Sequence, residues 1–313
     1  MEIPGNEQLV NYLIILDKDG REFTTEEDNH WGGLILPAPG ENPSKTGEGM
    51  KVVLFASWKF GFVALETLKK FEVQFPDRMN LVGLVTDNPL NPDAKISKKK
   101  RIWGMIDLPV QVVDETSMIE AGLSHGIPVY TGEIKIESFR KLLEQWNPDA
   151  IIVCVFGQLI DSFIINYPSY GIYNFHPSDL ARHHGAGPRP YEDLKERNAS
   201  TTVWTVHHVS EEIDSGHIVG QSPPVNVTDS QQKLPESQFI VWDKMTEALS
   251  PVVSSLAEEL CNRFEKKEQG AIDHIDFVKQ IPGEIRKKYL QPIVRDITDD
   301  LFPDPGSSVF TSI

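Results

Sequence analysis

From Met50 onward, short β-branched runs alternate with amphipathic segments, and this alternation restricts the possible folds more than any other feature of the chain. The runs KVVLFA (51–56), LVGLVTD (81–87), IPVY (127–130) and AIIVCVF (150–156) read as strands. Between them, GFVALETLKKF (61–71) places Phe62, Leu65, Leu68 and Phe71 on one helical face. KIESFRKLLEQW (135–146) does the same with Ile136, Phe139, Leu143 and Trp146, and Asn147-Pro148 stops it. AIIVCVF is apolar on both faces, as expected of a central parallel strand covered by helices on each side. The pattern predicts an α/β fold with a doubly wound, mainly parallel sheet. Ligands of such sheets sit beyond the carboxyl ends of the strands.

Residues 1–50 form an N-terminal extension to this unit. NYLIILD (11–17) reads as a strand, DKDGRE as a turn and PAPGENPSKTGEG (37–49) as a Pro/Gly-rich linker. The polar, basic stretch 88–104, containing the run Ser97 to Arg101, reads as a long loop. From residue 222 to 313 the chain is mostly helical. Trp242, Met245, Leu249, Leu256 and Leu260 recur at three- and four-residue spacing, and Ser250-Pro251 reads as the cap and start of a second helix. That stripe would serve intrachain packing or a homodimer.

Charge and segment composition narrow the partners. With 46 acidic against 30 basic residues the net charge is −16, which repels polyanions and argues against a nucleic-acid partner. No run approaches the roughly 18 apolar residues of a membrane span, and the first residues lack the basic start and apolar core of a leader. A cytoplasmic protein is expected. Cys154, inside an apolar run, and Cys261 read as unpaired buried thiols.

The chemistry-bearing residues concentrate between Gly171 and Gly220. Two apolar runs, Ile172 to Phe175 and Thr201 to Val209, deliver polar groups at their ends: Asn174 and His176 from the first, His207 and Asp214 from the second. An amide, imidazoles and a carboxylate at strand ends can stabilise an oxyanion and move a proton. Six of the nine histidines lie between 176 and 217, so a zinc-dependent hydrolase is an alternative. Against it, no His-x-x-x-His pair stands on a predicted helix, and the side chains of His207 and His208 would diverge on a strand.

The pattern Asn-x-His-Pro-Ser (174–178), then Arg182 and Gly185, then Val206-His207-x-Val209 running to Ile213-Asp214-Ser-Gly216, resembles the formyltransferases that use N10-formyltetrahydrofolate. That family acts on glycinamide ribonucleotide, methionyl-tRNA and nucleotide-linked amino sugars, and includes a hydrolase of the cofactor. The resemblance covers roughly residues 50 to 221 and implies a Rossmann-like formyltransferase fold, with a catalytic domain over 51–221. It implies catalytic roles for Asn174, His176 and Asp214. It implies a folate pocket lined by Phe156, Gly157, Gln158, Leu159 and Ile160 and by Val209, Glu211 and Asp214. Ser178, Arg182, His183, His184, Gly185 and His207 are then substrate-binding or supporting residues.

Departures from the family pattern bear on the acceptor. Where many relatives read His-Pro-Ser-Leu-Leu-Pro-Arg-Tyr-Arg-Gly, this chain has Asp179, Ala181, His183 and His184. The segment ASWKFGF lacks the Gly-Ser-Asn phosphate loop of the glycinamide ribonucleotide enzymes, and the tail is not the basic β-rich domain of the methionyl-tRNA enzymes. The expected acceptor is therefore a small phosphorylated amine, foremost a nucleotide-linked amino sugar. A methionyl-tRNA formyltransferase or a formyltetrahydrofolate hydrolase is the alternative within the family.

Overall fold

The computed structural model describes residues 10–16, 32–37, 49–87, 111–182 and 190–293. Its centre is a nine-stranded sheet in the order β1-β2-β5-β4-β3-β6-β7-β9-β10. The strands are β1 Val10–Leu16, β2 Gly32–Pro37, β3 Met50–Ala56, β4 Met79–Thr86, β5 Val129–Gly132, β6 Ala150–Cys154, β7 Ile172–His176, β9 Thr205–His208 and β10 Ile218–Gln221. The five from β5 to β7 are mutually parallel. The remaining strands join antiparallel at the two edges. β8 Thr201–Thr202 and β11 Val225–Asn226 form a separate small ribbon, so the apolar run 201–209 is split into two short strands.

The helices are α1 Trp58–Gln74, α2 Gln111–Ser124, α3 Glu137–Trp146, α4 Ser162–Ile165, α5 Pro190–Glu196, α6 Gln238–Glu265, α7 Phe277–Gln280 and α8 Gly283–Tyr289. Successive residues of β3 serve opposite layers, as the two-residue period of a strand requires. Val52, Leu54 and Ala56 pack with residues of α1, α2 and α6, whereas Val53 and Phe55 pack with residues of α3 and α4. Both faces of the parallel strands are thus covered by helices, which accounts for their continuous apolar character. β4 and β5 lie to one side of β3, and β6 and β7 to the other. The strand order therefore reverses between β3 and β6, and a crevice is expected beyond their carboxyl ends.

Several sequence expectations need correction. In α1 the buried face runs through Phe60, Ala64, Leu65, Leu68 and Phe71. Phe62 lies a helical step off it and is exposed. Helix α2 left no clear sequence signal, since Val112, Val113 and Thr116 in its first half are β-branched and weaken helix propensity. Ser250-Pro251 does not start a new helix, because α6 runs unbroken for 28 residues with Pro251 inside it. An interior proline costs a helix about 3 kcal/mol. Here it is flanked by fully buried Leu249, Val252, Val253 and Leu256, each contributing about 1.5–3 kcal/mol on burial, so packing outweighs the break.

The α6 stripe is used within the chain. Trp204, fully buried, donates its Nε1–H to the Met245 carbonyl at 2.9 Å. Thr67 of α1 donates to Ser250 Oγ at 2.9 Å, and Arg78 donates to Asn262 Oδ1 at 2.7 Å. Cys154 and Cys261 are buried and unpaired. Burial pushes both thiols up, that of Cys261 to about 12. Among the described residues no helix is long and apolar enough to cross a membrane. The loop 88–104, with its basic run, lies outside the described residues.

Candidate active site

The carboxyl edge of the sheet is cross-linked by short polar residues. Ser57, after β3, shares a hydroxyl hydrogen bond of 3.3 Å with Thr86 at the end of β4, and its Oγ accepts from the Asp87 N–H at 3.0 Å. The Asp87 carboxylate in turn accepts from the Gly157 N–H, beyond β6, and from Gln158 Nε2 at 3.1 Å. Gln158 Nε2 also donates to the Gly132 carbonyl at the end of β5, at 2.7 Å, and its Oε1 accepts from the Ile134 N–H at 3.3 Å. One amide side chain therefore joins the ends of β4, β5 and β6.

Three non-glycine residues at this edge adopt left-handed backbone: Trp58 (φ 65°), Val155 (φ 53°) and Asp214 (φ 51°). A β-branched residue such as Val155 is rarely found there, and strain of this kind costs about 1–3 kcal/mol and concentrates at functional sites.

Antiparallel pairing of β7 with β9 sets Asn174 opposite His207 and His176 opposite Thr205. The two-residue period puts all four on the sheet face that carries α3 and α4. The His207 Nδ1 lies 2.7 Å from the His208 carbonyl. A carbonyl only accepts, so Nδ1 carries the proton, and Nε2 of the neutral ring is left with its lone pair. The Asn174 Nδ2 donates to that lone pair at 3.0 Å. One amide hydrogen of Asn174 is thereby committed, and the second remains for a ligand.

Asp214 completes the cluster. Its Oδ1 is 3.7 Å from His207 Nε2 and its Oδ2 is 3.8 Å from His176 Nε2, so one carboxylate stands between two imidazoles whose rings are 6.5 Å apart. Both histidines are buried, at 4% and 2% exposure. Burial pushes the His176 imidazole down to about 4, against the opposing pull of Asp214. His207 is shifted down for the same reason. A carboxylate at this distance acts to raise the imidazole, but desolvation of the charged form is the larger effect. At neutral pH both rings are uncharged.

The Asp214 loop is seated by Gly216. A Cβ there would come within 1.8 Å of the His208 carbonyl oxygen, so the close approach of this loop to β9 requires glycine.

The remaining sequence candidates fall into distinct places. Ser178 is fully buried, with its Oγ 3.5 Å from His176 Nε2, and its carbonyl accepts from Thr205 Oγ1 at 2.6 Å. Arg182 is 71% exposed and donates from Nε to Asp179 Oδ2 at 2.9 Å, while Asp179 Oδ1 accepts from Gln221 at 2.9 Å. Phe156 and Ile160 are core residues, Phe156 packing on Phe55 at 5.1 Å. Gly157 has its N–H taken by Asp87, and Gln158 is turned inward to the strand ends, so neither group is free to face a ligand. Leu159 is the exposed apolar side chain of that segment. Val209 is half-buried, with its N–H donated to the Ile172 carbonyl at 3.1 Å, and Glu211 is exposed. His183, His184 and Gly185 lie outside the described residues. Asp87 was missed, although its place at the end of the run LVGLVTD marks it as a residue of the functional edge. Among the described residues no group of three or more His, Cys, Asp or Glu side chains could hold a metal ion.

With this geometry in hand, comparison with known proteins is specific. The formyl transferase family model matches residues 91–239. This segment is therefore similar to the formyl transferase family. The matched span contains Asn174, His176, His207 and Asp214, the four residues gathered at the sheet edge.

Among curated relatives, the methionyl-tRNA formyltransferase of Bacillus mycoides (strain KBAB4) is 29% identical over 256 residues, covering 76% of this chain and 72% of the relative. That of Ureaplasma parvum serovar 3 (strain ATCC 700970) is 30% identical over 171 residues, covering 55% and 48%. The chain thus spans about half the length of several curated relatives it matches. Among solved structures, the phosphoribosylglycinamide formyltransferase of Anaplasma phagocytophilum is 18% identical, covers 67% of this chain and 87% of that one, and superposes with a TM-score of 0.49.

Proposed function

We propose that this protein transfers a formyl group from N10-formyltetrahydrofolate to a primary amine. The observation that carries the reading is the placement of the Asp214 carboxylate between two buried, neutral imidazoles, beside an Asn174 amide with one hydrogen uncommitted. These residues suit such a donor. The exposed Leu159 offers an apolar contact to a flat ring, and the Asp214 loop, shaped by Gly216, borders the same edge.

The bound folate would supply an activated formyl carbon. The chain's own residues would supply the rest. The free Asn174 N–H points hydrogen-bonding capacity at an oxygen that gains charge. The neutral His176 takes up the proton that the attacking amine must lose, and the nearby Asp214 carboxylate stabilises the imidazolium while it lasts. The proton is then available to the departing folate nitrogen, so the balance closes with no net proton gained or lost.

For the acceptor we propose a small phosphorylated amine, foremost a nucleotide-linked amino sugar. The net charge of −16 supports this, since it disfavours a grip on a polyanion. The names of the curated relatives favour a second reading, a methionyl-tRNA acceptor. The test is to incubate the protein with N10-formyltetrahydrofolate and a panel of amino-sugar nucleotides, simple amino-sugar phosphates and charged initiator tRNA, following products by mass spectrometry. Formylated acceptor supports transfer and names the substrate. Formate released in equal amount with every acceptor identifies a hydrolase. An unchanged folate pool in all reactions would sink the reading.

A further inference from the structure

The cross-strand pair Asn174 and His207 lies one register step from a second pair, Tyr173 and His208. The second pair points to the opposite face of the sheet, because neighbouring residues on a strand alternate. There the rings of Tyr173 and His208 approach edge to face at 5.3 Å. The segment that follows α6 runs across this face. Gly270 N–H donates to the Ser169 carbonyl at 2.9 Å and Ile275 N–H to the Val219 carbonyl at 2.8 Å. His217 Nε2 donates to the Asp273 carbonyl at 2.9 Å.

At the centre of this strap, the buried residue Ile272 uses both of its main-chain groups on the Tyr173–His208 pair. Its N–H donates to the Tyr173 hydroxyl oxygen at 2.8 Å, and its carbonyl accepts from His208 Nε2 at 2.7 Å. Tyr173 passes its own hydroxyl hydrogen to the Tyr170 carbonyl at 2.6 Å. The His208 carbonyl is the acceptor that fixes the His207 tautomer. It is also the atom against which Gly216 seats the Asp214 loop.

We infer that the strap through Ile272 sets the catalytic cluster, with His208 and Tyr173 as its positioning residues. Ile272 holds His208 from one face of the sheet. The His208 carbonyl then holds His207 with its Nε2 lone pair toward Asn174 on the other face. His208 touches none of the reacting groups and acts through its carbonyl, on the His207 ring and on the seat of the Asp214 loop. The inference rests on the formyl-transfer reading for its kinetic arm, and it gives the region beyond α6 a role in the chemistry. Hydrogen bonds that fix a ring's tautomer are worth preserving in an active site, because misplacement of a catalytic group by about 1 Å can cost roughly a hundredfold in rate.

The test compares His208→Leu, which removes the donor to Ile272, with His208→Gln, which can restore a donor at similar reach. The expected result is a kcat lowered roughly tenfold to a hundredfold in H208L, with KM for the formyl donor changed less than about twofold and most of kcat recovered in H208Q. Nitrogen NMR of the imidazoles, in the ligand-free full chain, should show His207 protonated at Nδ1 in the wild type and in H208Q, and a mixed tautomer in H208L. If H208L does not fold, Tyr173→Phe removes the other half of the clamp and is read the same way. Wild-type kcat and an unchanged His207 tautomer in a folded variant overturn the inference. A wild-type protein with no formyl transfer overturns the proposed function instead, while the NMR comparison still decides the role of the strap.

Discussion

His176 Nε2 lies 3.8 Å from Asp214 Oδ2, yet the imidazole is neutral, because burial outweighs the carboxylate and holds it at about 4. An unfolded histidine titrates near 6.5, so between those values the unfolded chain binds a proton that the native chain does not. Stability therefore rises with pH across that window and is lost as pH falls from about 6.5 towards 4, by at most about 1.4 kcal/mol per pH unit for each such histidine. His207, also shifted down by burial, adds in the same direction. Urea midpoints measured from pH 4 to 8 should fall on the acid side, and His176→Gln should flatten the slope. A wild-type profile with no such fall would refute the buried-neutral state.

The same neutral imidazole is assigned the task of accepting a proton, and the neighbouring carboxylate that of supporting it. His176→Ala and Asp214→Ala should each lower kcat for formyl transfer by about two to four orders of magnitude. Circular dichroism and a cooperative melt should show both variants folded. Near-normal turnover in either would overturn the assigned roles.

Gln158 ties together the ends of β4, β5 and β6, the edge at which the proposed formyl donor would bind. Gln158→Leu keeps the volume but removes the bonds to Gly132 and Ile134. KM for the formyl donor should rise roughly tenfold with kcat changed much less, the signature of lost ground-state binding. Initial-rate kinetics over a folate titration would measure it, and an unchanged KM would refute the positioning role.

Gly216 leaves no room for a side chain, since a Cβ would meet the His208 carbonyl. That neighbour is backbone and cannot swing away, so Gly216→Ala must displace the Asp214 loop or bend β9. A loss of about 1–3 kcal/mol in stability is expected, accompanied by loss of turnover. Thermal melts and rates on the same preparation would test both.

How much of this could be read beforehand follows from the range of the interactions. The parallel strands were legible because each is a continuous apolar run between helices with their own stripes, a local signal. Asn174, His176, His207 and Asp214 were legible as residues at strand ends whose neighbours fix their direction. The antiparallel pairing of β1 and β2 with β5 was not, because an apolar run such as 10–16 names no partner. Nor was Asp87, which joins residues about seventy positions apart. The net direction of the His176 shift also required knowing its burial, which the sequence motif does not state.

Pro251 illustrates the same limit and yields a further prediction. Its local signature is that of a helix start, but the apolar stripe of α6 continues on both sides of it and packs against α1 and the rest of the core. The missing N–H leaves one helical carbonyl without its usual partner, a cost of the order of 3 kcal/mol when a proline replaces alanine. Pro251→Ala restores that donor in a backbone already helical, so it should stabilise the protein, by an amount reduced by the lost ring contacts and by the freer unfolded chain. A rise in the urea midpoint with an unchanged slope is the expected outcome. A lower midpoint would mean that the ring's packing, and not the stripe on either side of it, keeps α6 in one piece.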